Sequence, residues 1–253
     1  MRRLLMVTAA VLGGLVWGGG RAFTEQGKSA DLLEMLAAAR AHYVSVHDYT
    51  TTFHKQQRVG GVLQPEEKML FKFKKPFSVY LKWTGEMHNG REALFVRGKY
   101  GNKLLVHLGG MVNYFAPTVS LHPAGWRAMG NNLRPITESG MESTVALITG
   151  VCEQAKKNGD LKVRYCGEGQ VAGRPTRKFE RLLPAGKGYP AHLTLFELDR
   201  ETGYPLSIIS YGWEGEVLEK YRYEEFRTNV GLTDKDFDRG NQGYGFGYFT
   251  VPL

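Results

Sequence analysis

The chain reads as an α+β protein: roughly ten short antiparallel strands, with one helix before them and one among them. Three observations predict this. In residues 173–237 apolar and polar residues alternate, so that Leu193 and Leu195 face one way while His192, Thr194 and Phe196 face the other, the period of a half-buried strand. Turn chemistry separates such runs: Gly203 and Pro205 close one hairpin, and Trp213, Glu214, Gly215 and Glu216 close the next. Two segments break the rhythm with helical spacing. They carry Leu32, Leu36, Ala39, Tyr43 and Val46 in the first and Met141, Val145, Ile148 and Cys152 in the second.

In chain order, Arg2 and Arg3 open a basic segment, 4–17 is apolar, and Gly20 and Ala22 put small residues where a signal peptidase cuts. Residues 1–22 are therefore expected to be a signal peptide removed after Ala22, leaving 23–253 as a single exported domain. The apolar run is short for a bilayer crossing, and no Cys stands at the cut to carry a lipid anchor. Ser29 is placed as the N-cap of the first helix, which should end near His47 and Asp48. Residues 48–59 alternate weakly up to Gly60 and Gly61, and 68–74 and 77–83 form a strand pair about Pro76. Met69, Phe71 and Phe73 share one face of the first; Phe77, Val79, Leu81 and Trp83 share one face of the second. Residues 91–97 and 103–108 continue the meander, and 111–130 is an ordered loop with an extra strand near Tyr114. The second helix starts after Ile136 and stops at 156–159. Strands resume at 161–165, Gly167 and Gly169 make a turn, and 240–248 is irregular.

Apolar residues make up 42% and aromatics 12%, which places the chain outside disordered compositions and lets it fold without metals or dense disulfides. Removing Arg2, Arg3 and Arg21 lowers the formal charge from +8 to +5. The densest basic run, Lys72, Lys74 and Lys75, alternates with Phe71 and Phe73 and reads as the solvated face of a strand, so no nucleic-acid partner is expected. An oxidising compartment lets Cys152 and Cys166 pair in a disulfide, while the apolar helix face of Cys152 equally suits a buried thiol.

The patterns of catalysis are missing. His42 and His47 lack the spacing of a helical metal pair, and 243–247, although Gly-rich, opens no helix that would cradle a phosphate. No serine sits in a Gly-x-Ser-x-Gly elbow, and neither cysteine has a neighbouring histidine. Glu66 and Glu67, Glu138 and Glu142, and Glu214 and Glu216 fall in turns or on a helix surface. No catalytic residue, metal or cofactor is expected, and the chain is read as a non-enzyme, with a hydrolase of unknown type as the distant alternative.

Detail in 191–237 carries a resemblance. The strand ending Asp199-x-x-Thr202-Gly203-x-Pro205 and the spacing Tyr221-x-Tyr223-x-x-Phe226-x-x-Asn229-x-x-Leu232-x-x-x-x-Phe237 resemble the periplasmic lipoprotein carrier superfamily of LolA, LolB and RseB. The stretches 76–83 and Gly90-Arg91-Glu92 look closer to an uncharacterised branch of it, of unknown function. The resemblance implies a strongly curved antiparallel sheet, an incomplete barrel of about eleven strands, whose concave apolar face is covered by helices and takes up acyl chains. It further implies a periplasmic protein whose partner is a lipid or lipoprotein acyl chain. From the apolar rows the ligand is expected against Leu36, Tyr43, Met69, Phe71, Phe73, Val79, Leu81 and Trp83, and the first helix and 111–130, each set off from the strands by Gly-rich or irregular sequence, are expected to be the movable covers. The competing implication is an RseB-like regulatory or scaffold module that acts on an envelope protein.

Overall fold

Alternation in the sequence becomes strand nearly wherever it occurs. The computed structural model describes residues 25–109, 118–247 and 250–252, so the expected signal peptide and the strand near Tyr114 lie outside the described residues. Helix α1 (Glu25–Val44) precedes β1 (Asp48–Val59), β2 (Val62–Leu63), β3 (Glu67–Lys74), β4 (Ser78–Trp83), β5 (Glu92–Val96), β6 (Leu104–His107) and β7 (Thr118–Leu121). The short α2 (Trp126–Met129) and the long α3 (Met141–Lys157) follow. After them come β8 (Lys162–Val171), β9 (Arg174–Leu182), β10 (Leu193–Asp199), β11 (Pro205–Tyr211), β12 (Val217–Thr228) and β13 (Thr250–Pro252).

The described strands form one sheet in the order β13-β7-β6-β5-β4-β3-β1-β12-β11-β10-β9-β8, with β2 beside β1. Only β13 on β7 is parallel among these pairings. The curved sheet stays open because its end strands, β8 and β13, do not pair with each other. It is thus the expected incomplete barrel, with thirteen strands where about eleven were implied.

Register sets the two faces. Tyr49, Phe73, Val79 and Phe95 lie across from one another on β1, β3, β4 and β5, as do Phe53, Met69 and Trp83 on the first three, and these rows point to the concave side. From α1, Leu32, Leu36 and Ala39 join the same core, as do Met141, Val145 and Ile148 from α3. The Tyr49 hydroxyl accepts a hydrogen bond from the Met141 backbone N–H at 2.9 Å, tying the start of α3 to the sheet. Gly140 before it has φ 106, and a Cβ there would crowd the Tyr49 hydroxyl. At the other end, Gly203 in the β10–β11 hairpin touches the α1 backbone so closely that a Cβ would collide with the Met35 carbonyl. His42 and Tyr204 close that contact with a 2.9 Å hydrogen bond.

Three expectations are corrected, and of the two readings left open for the cysteines the free thiol is the one found. Ser29 lies inside α1, which starts at Glu25 and stops at Val44. Gly167 and Gly169 do not turn the chain: β8 runs through them with a bulge between Tyr165 and Glu168, and the reversal comes at Ala172 and Gly173. Glycine in a strand marks a bulge as readily as a turn. The cysteines are both free, because Cys152 is buried on the inner side of α3 and Cys166 is exposed at that bulge. The lysine run is not simply solvated. Lys72 bonds Asp236 at 3.1 Å and the Tyr244 hydroxyl at 3.2 Å, and Lys74 bonds Asp234 at 2.7 Å. These partners belong to the segment after β12, where Phe237 and Phe246 cover Tyr80, Leu94 and Leu105 on the convex face.

Candidate functional site

The two ends of the concave face are filled differently. Helices α1 and α3 close over the end formed by β8 to β11. Over β3 to β7 the cover is mainly the segment 123–147, and beneath it lies a cavity of about 780 Å³. A dry void of that size would cost on the order of 19 kcal/mol at about 24 cal/mol per Å³, above the whole stability of an ordinary domain. The space therefore belongs to solvent or to a ligand, and its size falls within the roughly 300–1,000 Å³ usual for small-molecule sites.

Its floor follows from strand periodicity. Phe53, Met69, Phe71, Leu81, Trp83 and Ala93 project from four adjacent strands, and Leu104, Val106 and Leu121 extend the apolar surface toward the sheet edge. Of the eight residues that the sequence marks for a ligand, the structure brings Met69, Phe71, Leu81 and Trp83 to this wall. Phe73 and Val79 sit in the same rows but under the packed core. Leu36 and Tyr43 lie in α1, which covers the other end.

One wall of the cavity is polar, which the sequence reading missed. Lys55 meets Glu67 at 2.6 Å, and the Trp83 indole N–H donates to the same carboxylate at 2.9 Å. Glu67 is thus no solvated turn residue; it opens β3 with its side chain 14% exposed. Burial alone would raise its pKa, but Lys55 and the Trp83 bond outweigh that and hold it below the ordinary value. Farther along, Arg134 reaches from the covering segment to Glu219 at 3.1 Å and to the Tyr221 hydroxyl at 3.0 Å. Gln57 donates to Tyr221 and accepts from the Leu133 backbone N–H, so strand and cover are hydrogen-bonded here. Burial, then Glu219, pushes the Tyr221 phenol far above its usual range. The alternation Phe53, Lys55, Gln57 on β1 was the available signal. It continues the apolar row of Tyr49 into polar side chains on one face.

Among the described residues no group of three or more His, Cys, Asp or Glu side chains could hold a metal ion. The cavity's carboxylates are each engaged by a cation or exposed, and the wall offers donors and apolar area to a guest. No described helix is long and apolar enough to cross a membrane.

Similar folds occur among solved structures. The chain resembles the Pseudomonas aeruginosa MucA/MucB complex with 16% identity over 83% of this chain and 60% of that one, at a TM-score of 0.45. It resembles the Mycobacterium tuberculosis lipoprotein LppX with 12% identity over 83% of this chain and 99% of that one, at 0.48. A LolA superfamily protein from Nitrosomonas europaea shares 10% identity over 86% of this chain and 98% of that one, at 0.35. The chain spans 62% of the length of MucB in its own crystal structure. No curated protein matches the sequence. Residues 46–246, nearly the whole described sheet, match the family described as Protein of unknown function (DUF1571), and the chain belongs to that family.

Proposed function

We propose that this is an exported, non-catalytic binding protein, periplasmic once residues 1–22 are removed, whose single half-barrel domain shelters an apolar ligand such as a lipid or lipoprotein acyl chain. The observation that carries the reading is the cavity of about 780 Å³ on the concave face, floored by Met69, Phe71, Leu81 and Trp83. Apolar area removed from water stabilises a complex by about 25 cal/mol per Å², and a guest chain laid on this floor removes both its own surface and that of the wall. In this reading Leu36, Tyr43, Phe73 and Val79 stiffen the packed end, to which the first helix belongs, and the moving cover is the segment 123–139, which stops short of the Met141 anchor.

Native mass spectrometry of the protein purified from a cell envelope tests the reading. A lipid retained at one molecule per chain, and reduced by Leu81→Glu, is the expected result. A lipid-free protein that also takes up no added single-chain amphiphile sinks it, and leaves the regulatory or scaffold module acting on an envelope protein.

A further inference from the structure

Four cations and three carboxylates line the cavity among the described residues. Lys55 is matched to Glu67 at 2.6 Å and Arg134 to Glu219 at 3.1 Å, while Arg127 and Glu138 are exposed and of opposite sign. Arg91 is left over. Among the described residues its Nε is buried with no hydrogen-bond partner, its guanidinium forms no ion pair within 4 Å, and its neighbour is the Trp83 ring 5.7 Å away. Burial lowers its pKa from the ordinary value, and Glu67 opposes that shift without reaching it. Arg91 as a whole is half-buried, so its remaining N–H groups keep access to the cavity, while a buried donor such as Nε is costly to leave without a partner.

The position of Arg91 is built. Backbone bonds from Gly90 N to Trp83 O at 3.0 Å and from Trp83 N to Arg91 O at 2.9 Å clamp the two ends of the β4–β5 turn. Gly109 packs against the Gly90–Arg91 backbone where any Cβ would collide. Within the turn His88 is held at φ 59 and also lines the cavity. Burial, then Arg91, keeps His88 below its usual pKa, against the pull of Glu67 3.8 Å from its Nε2.

We propose that Arg91 is the headgroup site of this cavity: the ligand is an amphiphile with an oxyanionic head, carboxylate or phosphate, held by the Arg91 guanidinium with His88 as second donor. Its tail then runs over Met69, Phe71, Leu81 and Leu104. The proposal rests on the ligand-binding reading above and names the ligand class. A planar guanidinium fork grips two oxygens of either head at once, and the lining's one cation in excess complements a single negative charge.

The test compares hexadecanoate, hexadecyl phosphate and hexadecanol by calorimetry on the mature protein and on Arg91→Met, which keeps the stem and removes the charge. Wild type should bind at least one of the two anions roughly ten- to a hundredfold tighter than the alcohol, and the preferred anion identifies the head. Arg91→Met should abolish that preference by weakening the anion far more than the alcohol, and Arg91→Lys should restore part of it. Equal affinity for all three in wild type overturns the headgroup site and leaves the apolar cavity reading standing; binding of none overturns both. The wild-type comparison needs no variant to fold.

Discussion

The packed and hollow ends of the concave face meet on β3, which crosses from one to the other. At its Phe73 end the Tyr49 ring stacks on Phe73 at 5.2 Å and on Phe226 at 4.8 Å, with Tyr49 wholly buried. Two residues back, Phe71 still stacks on Tyr49 at 5.7 Å but also lines the cavity, and Met69 lines it too. What changes is the cover. Over Phe73 stands the start of α3, bonded to Tyr49; over Met69 stands an irregular segment carrying polar side chains. An apolar row is therefore core or binding wall according to what lies above it, not according to its own composition.

The largest break in this comparison is a charge placed in the packed row. Phe73→Asp should destabilise by more than about 4 kcal/mol, because a carboxylate 2% exposed among aromatic rings has no partner. Lys72→Asp, one residue away on the convex face, loses its bonds to Asp236 and Tyr244 and should cost about 1–2 kcal/mol. Chemical denaturation of both variants decides it, and equal losses would mean the assigned register is wrong.

Truncation distinguishes the ends more finely. Leu36→Ala, in the packed end with no exposed surface, should cost roughly 2–5 kcal/mol. Leu81→Ala, on the cavity wall, should cost roughly 1 kcal/mol or less in the free protein, since its neighbours already border open space. With ligand bound the second cost should rise toward the first, as thermal unfolding with and without hexadecanoate would record.

A smaller effect separates the ends by pH. Asp199 in the packed end is 2% exposed and accepts bonds from Arg174 at 2.8 and 3.1 Å and from the Thr202 backbone and hydroxyl. Burial would raise its pKa; the Arg174 and Thr202 bonds prevail and hold it below the ordinary aspartate value. A carboxyl with a depressed folded pKa adds stability that is present above its unfolded pKa and is lost as pH falls through the folded one. Stability should therefore decline below about pH 4. Asp199→Asn should remove about 2 kcal/mol at neutral pH and make that decline shallower, discounted because Arg174 is one-third exposed. An unchanged acid slope in Asp199→Asn would place the acid sensitivity on the other carboxyls held below their ordinary values, Glu67 on the cavity wall or Asp160, Asp234 and Asp236 outside it.

Much of the fold was legible because it is local. Strands β1, β3 to β6 and β10 to β12 lie within a residue or two of their alternation, and the buried stripe of α3 is the one its spacing marks. Short pieces escaped: β7 and β13 have too few residues to show a period, and the latter's partner is distant in the chain. Gly167 and Gly169 misled because a bulge and a turn draw on the same residue. The candidate site was half legible. Met69, Phe71, Leu81 and Trp83 follow from alternation, whereas the emptiness above them depends on where 123–147 comes to rest. Arg91, beside Gly90, has the sequence signature of a turn, and only the fold turns it inward.

The openness of the sheet also bears on how copies of the protein meet. An unclosed sheet exposes two strand edges, each a template on which another chain could add a strand and begin a filament. Here one edge is β13, three residues long and ending at Pro252, which has no N–H to donate. The other is β8, whose bulge after Tyr165 breaks the ladder and whose Lys162, Arg164 and Glu168 stand exposed along it. The open barrel thus ends in two strands poorly suited to receive a second copy of itself.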